Sequence, residues 1–211
     1  MRLIAAYAQL LRMGQPVFTT ADAAAHLGIP NDAASSMLAR LASATHLTRV
    51  RRGLWAVSGR AVSHQLAHRL TAPAPGYISL QTALFHHGIV SQIPEITYVV
   101  SPARTQRIIT PFGVFSIHHV QPKFFFGYKV LSDGVTRMAT PEKALADYLY
   151  LGPAKSGLFR SLPDLELPPA FGIAKTRGII RKIPSVRRRS HALRSFEELL
   201  HPRGFRSAQQ G

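Results

Sequence analysis

Residues 19–59 read TTADAAAHLGIPNDAASSMLARLASATHLTRVRRGLWAVSG, and the fold of the N-terminal part of the chain depends on them. The alanine-rich run at residues 21–27 favours a helix. The two threonines before it offer a hydroxyl cap, and Asp22 complements the positive end of a helix. Gly28 suits a helix C-terminus because glycine adopts positive φ without a Cβ clash. We therefore predict one short helix that ends at this glycine.

A second helix is predicted over residues 32–43, with Asn31 as its cap. Its apolar residues recur every three or four positions, as on a buried face: Ala34, Met37, Leu38, Leu41 and Ala42. The opposite face then carries Ser35, Ser36 and Arg40. Small polar residues followed by an arginine are typical of a helix that enters a DNA major groove, although an ordinary solvated face has a similar composition.

Two short β-prone runs, LTRV and LWAV, flank the turn RRG and predict a hairpin. We expect Trp55, the only tryptophan, to anchor this hairpin to the helices. Arg49, Arg51 and Arg52 have no acidic residue near them in sequence, which favours contact with phosphates or the minor groove over a solvated basic loop. Helix, turn, helix and hairpin in this order predict a winged helix-turn-helix, which is a DNA-binding module.

The charge of the chain predicts a polyanionic partner. The 211 residues include 26 Lys or Arg and 10 Asp or Glu, a net charge of +16, which favours nucleic acid or an anionic membrane surface. The excess is concentrated at the two ends, with net charges of +6 over residues 1–75, +2 over 76–174 and +8 over 175–211. No apolar run approaches the length of a membrane span, and no cleavage site follows MRLIAAYAQLLRMG. We therefore expect a cytoplasmic protein without membrane contact.

The proline-rich segment at residues 71–76, TAPAPG, predicts a linker between two domains. Residues 1–70 would form the winged helix-turn-helix domain. Residues 77–211 would form an α+β domain with a small, mainly antiparallel sheet and a basic tail. The fold class predicted for the whole chain is therefore α+β.

The basic tail is a second candidate for phosphate contact. The segment 175–189 reads KTRGIIRKIPSVRRR and ends in Arg187, Arg188 and Arg189. It would clamp the DNA backbone, or it would be a solvated surface. A last helix is predicted after it, capped by Ser190.

The residues that could carry catalysis lack the required spacing. Histidines occur in three pairs: His64 and His68, His86 and His87, His118 and His119. No pair has the further ligands of a zinc site, and the chain has no cysteine. Glu142 is explained by a helix start, and Lys143 would pair with Asp147 at i,i+4. With no phosphate-binding loop or nucleophile elbow, we expect no enzyme, no metal and no cofactor.

An aromatic cluster, Phe124, Phe125, Phe126 and Tyr128, would stack nucleic-acid bases or pack in a core, and packing is favoured. RNA binding or RNA modification has no other support than this cluster and the charge. A protein-interaction module with an acidic partner remains an alternative to DNA binding.

The sequence resembles the AbiEi-type antitoxins of type IV toxin–antitoxin, or abortive-infection, systems. The similarity spans residues 15–151 and is carried by three features. The first is the winged helix-turn-helix whose wing ends in RRGLWAVSG, the second is YISLQTALFHHGI, and the third is IITPFGVFSIHHVQPKFFFGYKV followed by ATPEKALADYLYL. The resemblance implies a transcriptional repressor that binds inverted repeats of double-stranded DNA in its own promoter, with self-association on DNA. It implies a nucleotidyltransferase-like toxin as cognate partner, although a stand-alone regulator is also open. By position, Ser35, Ser36, Arg40, Arg49, Arg51 and Arg52 would contact DNA.

Overall fold

The computed structural model describes residues 2–61, 63–152 and 165–200, and predictions for the last residues of the chain lie outside these ranges. The protein is a mixture of helices and strands. The helices are α1 (Leu3–Arg12), α2 (Thr20–Leu27), α3 (Asn31–Ser43), α4 (Ser63–Thr71), α5 (Leu80–His86), α6 (Pro141–Leu151), α7 (Ile173–Arg181) and α8 (Val186–Leu200). The strands are β1 (Val17–Thr19), β2 (Leu47–Arg51), β3 (Leu54–Val57), β4 (Tyr77–Ile78), β5 (Ile96–Ser101), β6 (Gln106–Thr110), β7 (Gly113–His119), β8 (Tyr128–Val130) and β9 (Arg137–Ala139).

Helix α2 begins and ends as its sequence predicts. The Thr19 hydroxyl accepts from the Asp22 amide at 3.0 Å, and the Asp22 carboxylate accepts from the Thr19 amide at 2.8 Å. This reciprocal pair is a capping box, which satisfies two backbone donors that the helix leaves unpaired. Gly28 ends the helix at a φ of +64°. The prediction that Asn31 caps α3 is wrong, because Pro30 holds the cap position and Asn31 is already the first helical residue.

The first sheet has three strands in the order β1-β3-β2, all antiparallel. The segment around Phe18 forms strand β1, in which Phe18 pairs with Trp55 of β3. Trp55 is buried, as predicted, and its indole donates to the Thr20 hydroxyl at 2.9 Å. It packs in a cluster with residues of α1 and α3, which include Leu10 and Leu38. The hairpin is thereby attached to the helices.

The second sheet has six strands in the order β6-β7-β5-β4-β9-β8. It is larger than predicted, and two of its pairings are parallel: β5 with β7 over six residue pairs, and β4 with β9. The other three pairings are antiparallel, including the predicted hairpin of β6 and β7. The parallel pairing of β7 with β5 was not predicted, and Phe115 and Ile117 of β7 are fully buried. Strand β6, with exposed Gln106 and Arg107, is left at the edge.

Helix α4 joins the two sheets. It contacts β1 on one side and β4, β5 and β7 on the other. Its Leu66 and Leu70 are buried in a core that also contains Val17 and Leu54 of the first sheet and Tyr77 of the second. An apolar core therefore continues from one sheet to the other. The division of the chain at residues 71–76 into two domains stays a prediction.

The C-terminal helices pack around α6. Every residue of α6 from Glu142 to Leu151 is buried, because α5, α7 and α8 surround it. The prediction that Ser190 caps the last helix is wrong, since α8 already begins at Val186 and Ser190 lies within it. Arg187, Arg188 and Arg189 therefore lie in its first turn rather than in an extended tail.

Candidate nucleic-acid interface

Helix α3 presents a polar face to solvent. Ala34, Leu38 and Leu41 are fully buried and fix the rotation of the helix about its axis. Ser35, Ser36 and Arg40 lie on the opposite side and are exposed, together with Asn31 at the start of the helix. The structure thus places these predicted site residues on one accessible helix.

The arginines of the β2–β3 hairpin have different surroundings. Arg52 is exposed in the turn, next to Gly53, whose φ of +75° suits the tight turn. Arg49 is also exposed, and its guanidinium lies 5.6 Å from the centroid of the Trp55 ring. A cation over an indole face is held in place by the ring quadrupole, so Trp55 orients this arginine as well as anchoring the hairpin.

Arg51 is turned away from its two neighbours. Its guanidinium donates to the Leu70 carbonyl at 3.3 Å and to the Arg69 carbonyl at 3.1 Å, and the side chain is half-buried. Both carbonyls lie in the last turn of α4, where helix acceptors lack intrahelical partners and the helix end is negative. Arg51 therefore fastens the hairpin to α4. The sequence gives no sign of this contact, because the partners are 18 and 19 residues away.

The one carboxylate of the α2 N-terminus is also neutralised by α4. Arg69 donates to Asp22 at 3.2 Å and to the Gln15 side chain at 2.9 Å. Burial acts to raise the pKa of Asp22, but the Thr19 amide and hydroxyl and the Arg69 guanidinium outweigh it, so this pKa lies below its ordinary value. Asp22 is therefore charged at pH 7 and is paired with Arg69.

The three arginines at the start of α8 have three different roles in the structure. Arg187 is exposed. Arg188 lies over the Tyr150 ring, with its guanidinium carbon 4.8 Å from the ring centroid. Arg189 donates to the Ile183 carbonyl at 3.1 Å. Of the predicted arginine clamp, one member is fully accessible and the other two are held by neighbouring groups.

The charged pair Lys143 and Asp147 lies in the core, which sequence reasoning did not foresee. The ammonium donates to the Asp147 carboxylate at 2.6 Å and to the Phe124 carbonyl at 2.9 Å, and both side chains are fully buried. Tyr77 and Ser79 donate their hydroxyls to the same carboxylate at 3.0 and 2.8 Å. Burial lowers the pKa of Lys143 and raises the pKa of Asp147, while the contact between them opposes both shifts.

This buried pair is a structural group. The Lys143 nitrogen lies 3.5 Å from the centroid of the Phe124 ring and 4.8 Å from that of Phe126. The aromatic cluster therefore packs in the core, as predicted, and covers the ammonium. The polar atoms of the Lys143 and Asp147 pair join α6 to β4 and to the turn before β8. The pair lines none of the described cavities.

Comparison with known proteins agrees with the N-terminal geometry. Residues 6–58 match the family model described as transcriptional regulator, AbiEi antitoxin, which spans α1 to the end of β3. A search of curated proteins gives no match. Within the described residues, no helix has the length and apolar character needed to cross a membrane. The resemblance of the sequence beyond residue 58 stays a prediction. Residues 6–58 of this chain are therefore similar to the AbiEi antitoxin family of transcriptional regulators.

Proposed function

We propose that the chain is a DNA-binding transcriptional repressor that acts as the antitoxin of a type IV toxin–antitoxin system and represses its own promoter. The observation that carries this proposal is the exposed polar face of α3, with an exposed arginine at the tip of the following hairpin. This arrangement supports a winged helix-turn-helix, in which α3 would enter the major groove and the hairpin would lie along the DNA backbone.

Each exposed residue then has a distinct task. Arg40 reads a base edge, since a bidentate arginine–guanine contact is worth about 1–3 kcal/mol of discrimination. Ser35 and Ser36 hydrogen-bond to bases or phosphates, with Asn31 at the groove edge. Arg49 and Arg52 neutralise phosphates, which positions the protein without reading sequence. We assign Arg51 to positioning, because both of its contacts are to α4.

The C-terminal arginines extend the phosphate contacts in this proposal. Arg187, which is exposed in the first turn of α8, is the member of the group most available to DNA. Residues 77–211 would carry the contacts that serve antitoxin activity, including self-association on DNA. The partner of that activity would be a nucleotidyltransferase-like toxin.

The DNA-binding part is tested by fluorescence anisotropy with the upstream DNA of the gene and a scrambled duplex of equal length. We expect Arg40→Ala to reduce the difference between the two binding free energies by about 1–3 kcal/mol. We expect Arg52→Ala to weaken both duplexes alike and to lower the slope of log K against log salt by about one. Arg104→Ala is the matched control, because Arg104 is exposed but lies far from the hairpin in sequence.

Equal affinity for the upstream and scrambled duplexes would exclude sequence-specific repression and leave an acidic protein partner as the better explanation of the charge. A reversed pattern, with Arg52→Ala changing discrimination and Arg40→Ala only the salt slope, would show that the two roles are exchanged. Antitoxin activity is tested separately, by co-expression with a nucleotidyltransferase-like toxin encoded beside the gene and by growth of the host.

A further inference from the structure

Strand β6 (Gln106–Thr110) forms one edge of the six-stranded sheet. Among the described residues, it pairs only with β7, which lies on one side of it. In an antiparallel pair alternate residues direct their backbone groups to the partner strand, so the other residues of β6 direct theirs away from the sheet. A row of such groups is a template for another extended chain. The opposite edge strand, β8, has only three residues, so β6 is the better template.

The side chains of β6 offer a charged and an apolar contact on one face of the sheet. In the register with β7, Arg107 lies opposite Ser116 and Ile109 lies opposite Val114. Because the two β6 residues are two positions apart, their side chains project from the same face. Arg107 is exposed, and Ile109 is 78% exposed. Ile108 projects from the other face and packs against the core. An added strand would therefore meet a guanidinium and an isoleucine side by side.

The surroundings of β6 are positively charged. Arg107 lines a cavity of about 690 Å³ together with Arg188 of α8, and no Asp or Glu occurs among the described residues that line this cavity. The guanidinium carbon of Arg188 lies 4.8 Å from the centroid of the Tyr150 ring, which holds this arginine in place. Burial lowers the pKa of His118, which also lines the cavity, to about 4, so its imidazole is neutral at pH 7. A carboxylate that approaches β6 would meet two arginines without an acidic competitor in the cavity wall.

These features fit an extended acidic segment of a protein better than other occupants. An inorganic anion would use the arginines and leave both the open strand edge and Ile109 without a partner. A nucleic-acid strand would also use the arginines, but it lacks the regularly spaced amide groups that pair with a β-strand. A second copy of this chain that paired through β6 would bring the arginines of two identical strands close together, where like charges repel.

We propose that β6 binds an extended acidic segment of another protein by adding it to the sheet as a further strand. The backbone of the segment pairs with the open edge of β6. An acidic side chain lies opposite Arg107, on the side of the cavity that contains Arg188, and an apolar side chain lies opposite Ile109. The segment therefore carries its acidic and apolar side chains two positions apart. This site is separate from the proposed contacts of α3 and the β2–β3 hairpin with DNA.

The pattern of the segment is tested by fluorescence anisotropy of a labelled peptide with the full-length chain. The probe is a short oligothreonine peptide that carries a glutamate and an isoleucine two positions apart, since threonine favours strands and adds no charge. A peptide with lysine in place of glutamate should bind about tenfold or more weakly, which corresponds to about 1.4 kcal/mol. No binding of the glutamate peptide up to about 1 mM overturns the proposal. Equal binding of the two peptides also overturns it, because the charge of the segment would then not matter.

Backbone methylation distinguishes strand addition from attraction between charges. Two versions of the glutamate peptide are N-methylated on alternate residues, one on the odd and one on the even positions. Only one of these sets contains the N–H groups that face β6 in an added strand. One version should therefore lose binding while the other keeps it. Equal affinity of both versions would show that no strand is added, and the proposal would be wrong.

Variants of β6 then locate the site. Arg107→Glu should weaken the glutamate peptide about tenfold and strengthen the lysine peptide, because the charge of the strand is reversed. Ile109→Thr should weaken both peptides, since it removes the apolar contact and keeps a residue that favours strands. Arg104→Glu is the matched control, because Arg104 is exposed but lies before β6. Circular dichroism melts establish that each variant is folded. An equal loss in the control would show a general effect of surface charge and overturn the proposal.

Two further measurements test the other occupants. A short single-stranded oligonucleotide should not displace the glutamate peptide. If it does, and if Arg107→Glu abolishes its binding, the surface binds nucleic acid and the proposal is wrong. Sedimentation velocity of the full-length chain and of Ile109→Thr should give the same oligomeric state. A dimer that dissociates in the variant would show that β6 pairs with a second copy, which would also refute the proposal.

Discussion

The buried ion pair of α6 yields a sharp prediction about stability. In Lys143→Met the side chain keeps its length and apolar contacts but loses the ammonium. The Asp147 carboxylate, which is fully buried, then keeps only the hydroxyls of Tyr77 and Ser79 as hydrogen-bond donors. Removing one partner of a buried pair leaves an uncompensated charge and typically costs about 3–5 kcal/mol. We expect a loss of that size in the free energy of unfolding at pH 7.

The loss should shrink as the pH falls. Burial already raises the pKa of Asp147, and removal of the nearby ammonium raises it further, because the attraction that opposed this shift is gone. The orphaned carboxyl of the variant therefore takes up a proton on mild acidification, and its desolvation penalty disappears. In Lys143→Met with Asp147→Leu neither charge of this pair remains, so the double variant should recover much of the lost stability.

The assay is urea denaturation followed by far-ultraviolet circular dichroism at pH 7 and pH 5. Lys129→Met is the matched control, because it makes the same substitution at a lysine that is exposed on β8. A substitution at an exposed site of this kind usually changes the free energy of unfolding by no more than about 0.5 kcal/mol. The reasoning is refuted if Lys143→Met costs no more than the control, or if its cost is the same at both pH values.

Two further variants test the roles of single residues. Arg51→Ala should lower the free energy of unfolding by about 1–2 kcal/mol, because two hydrogen bonds to α4 are lost. DNA affinity, measured well below the melting temperature, should stay unchanged. Weaker DNA binding at unaltered stability would contradict the assignment of Arg51 to positioning. Folded His118 has a pKa of about 4 against about 6.5 in the unfolded chain, so between these values the unfolded state binds more protons and stability falls as the pH falls. This contribution is at most about 3 kcal/mol. Chemical denaturation between pH 7 and pH 4 should show that the free energy of unfolding of His118→Gln depends less on pH than that of the parent. An identical pH dependence would mean that His118 is not neutral in the fold.

Local signals explain why the N-terminal part could be predicted from sequence. The capping box joins Thr19 to Asp22, only three residues apart, and Gly28 acts through its own backbone conformation. The buried and exposed faces of α3 follow from helical periodicity, so Arg40 could be placed on the outside without knowledge of the rest of the chain. Asn31 was misplaced by one residue because Pro30 also satisfies the geometry that precedes a helix.

What the sequence determined by itself was therefore the two helices and the hairpin of residues 19–59 and the side chains that they expose. Only the tertiary structure decided the contacts of Arg51, because its acceptors lie on α4. It also decided the burial of the Lys143 and Asp147 pair, which depends on helices and strands from distant parts of the chain. It also decided that β7 lies parallel to β5, which brings Tyr98 and His118 together beside Arg188. Sequence patterns report contacts within a few residues, whereas pairing, burial and cavities arise from surfaces that meet only when the chain has folded.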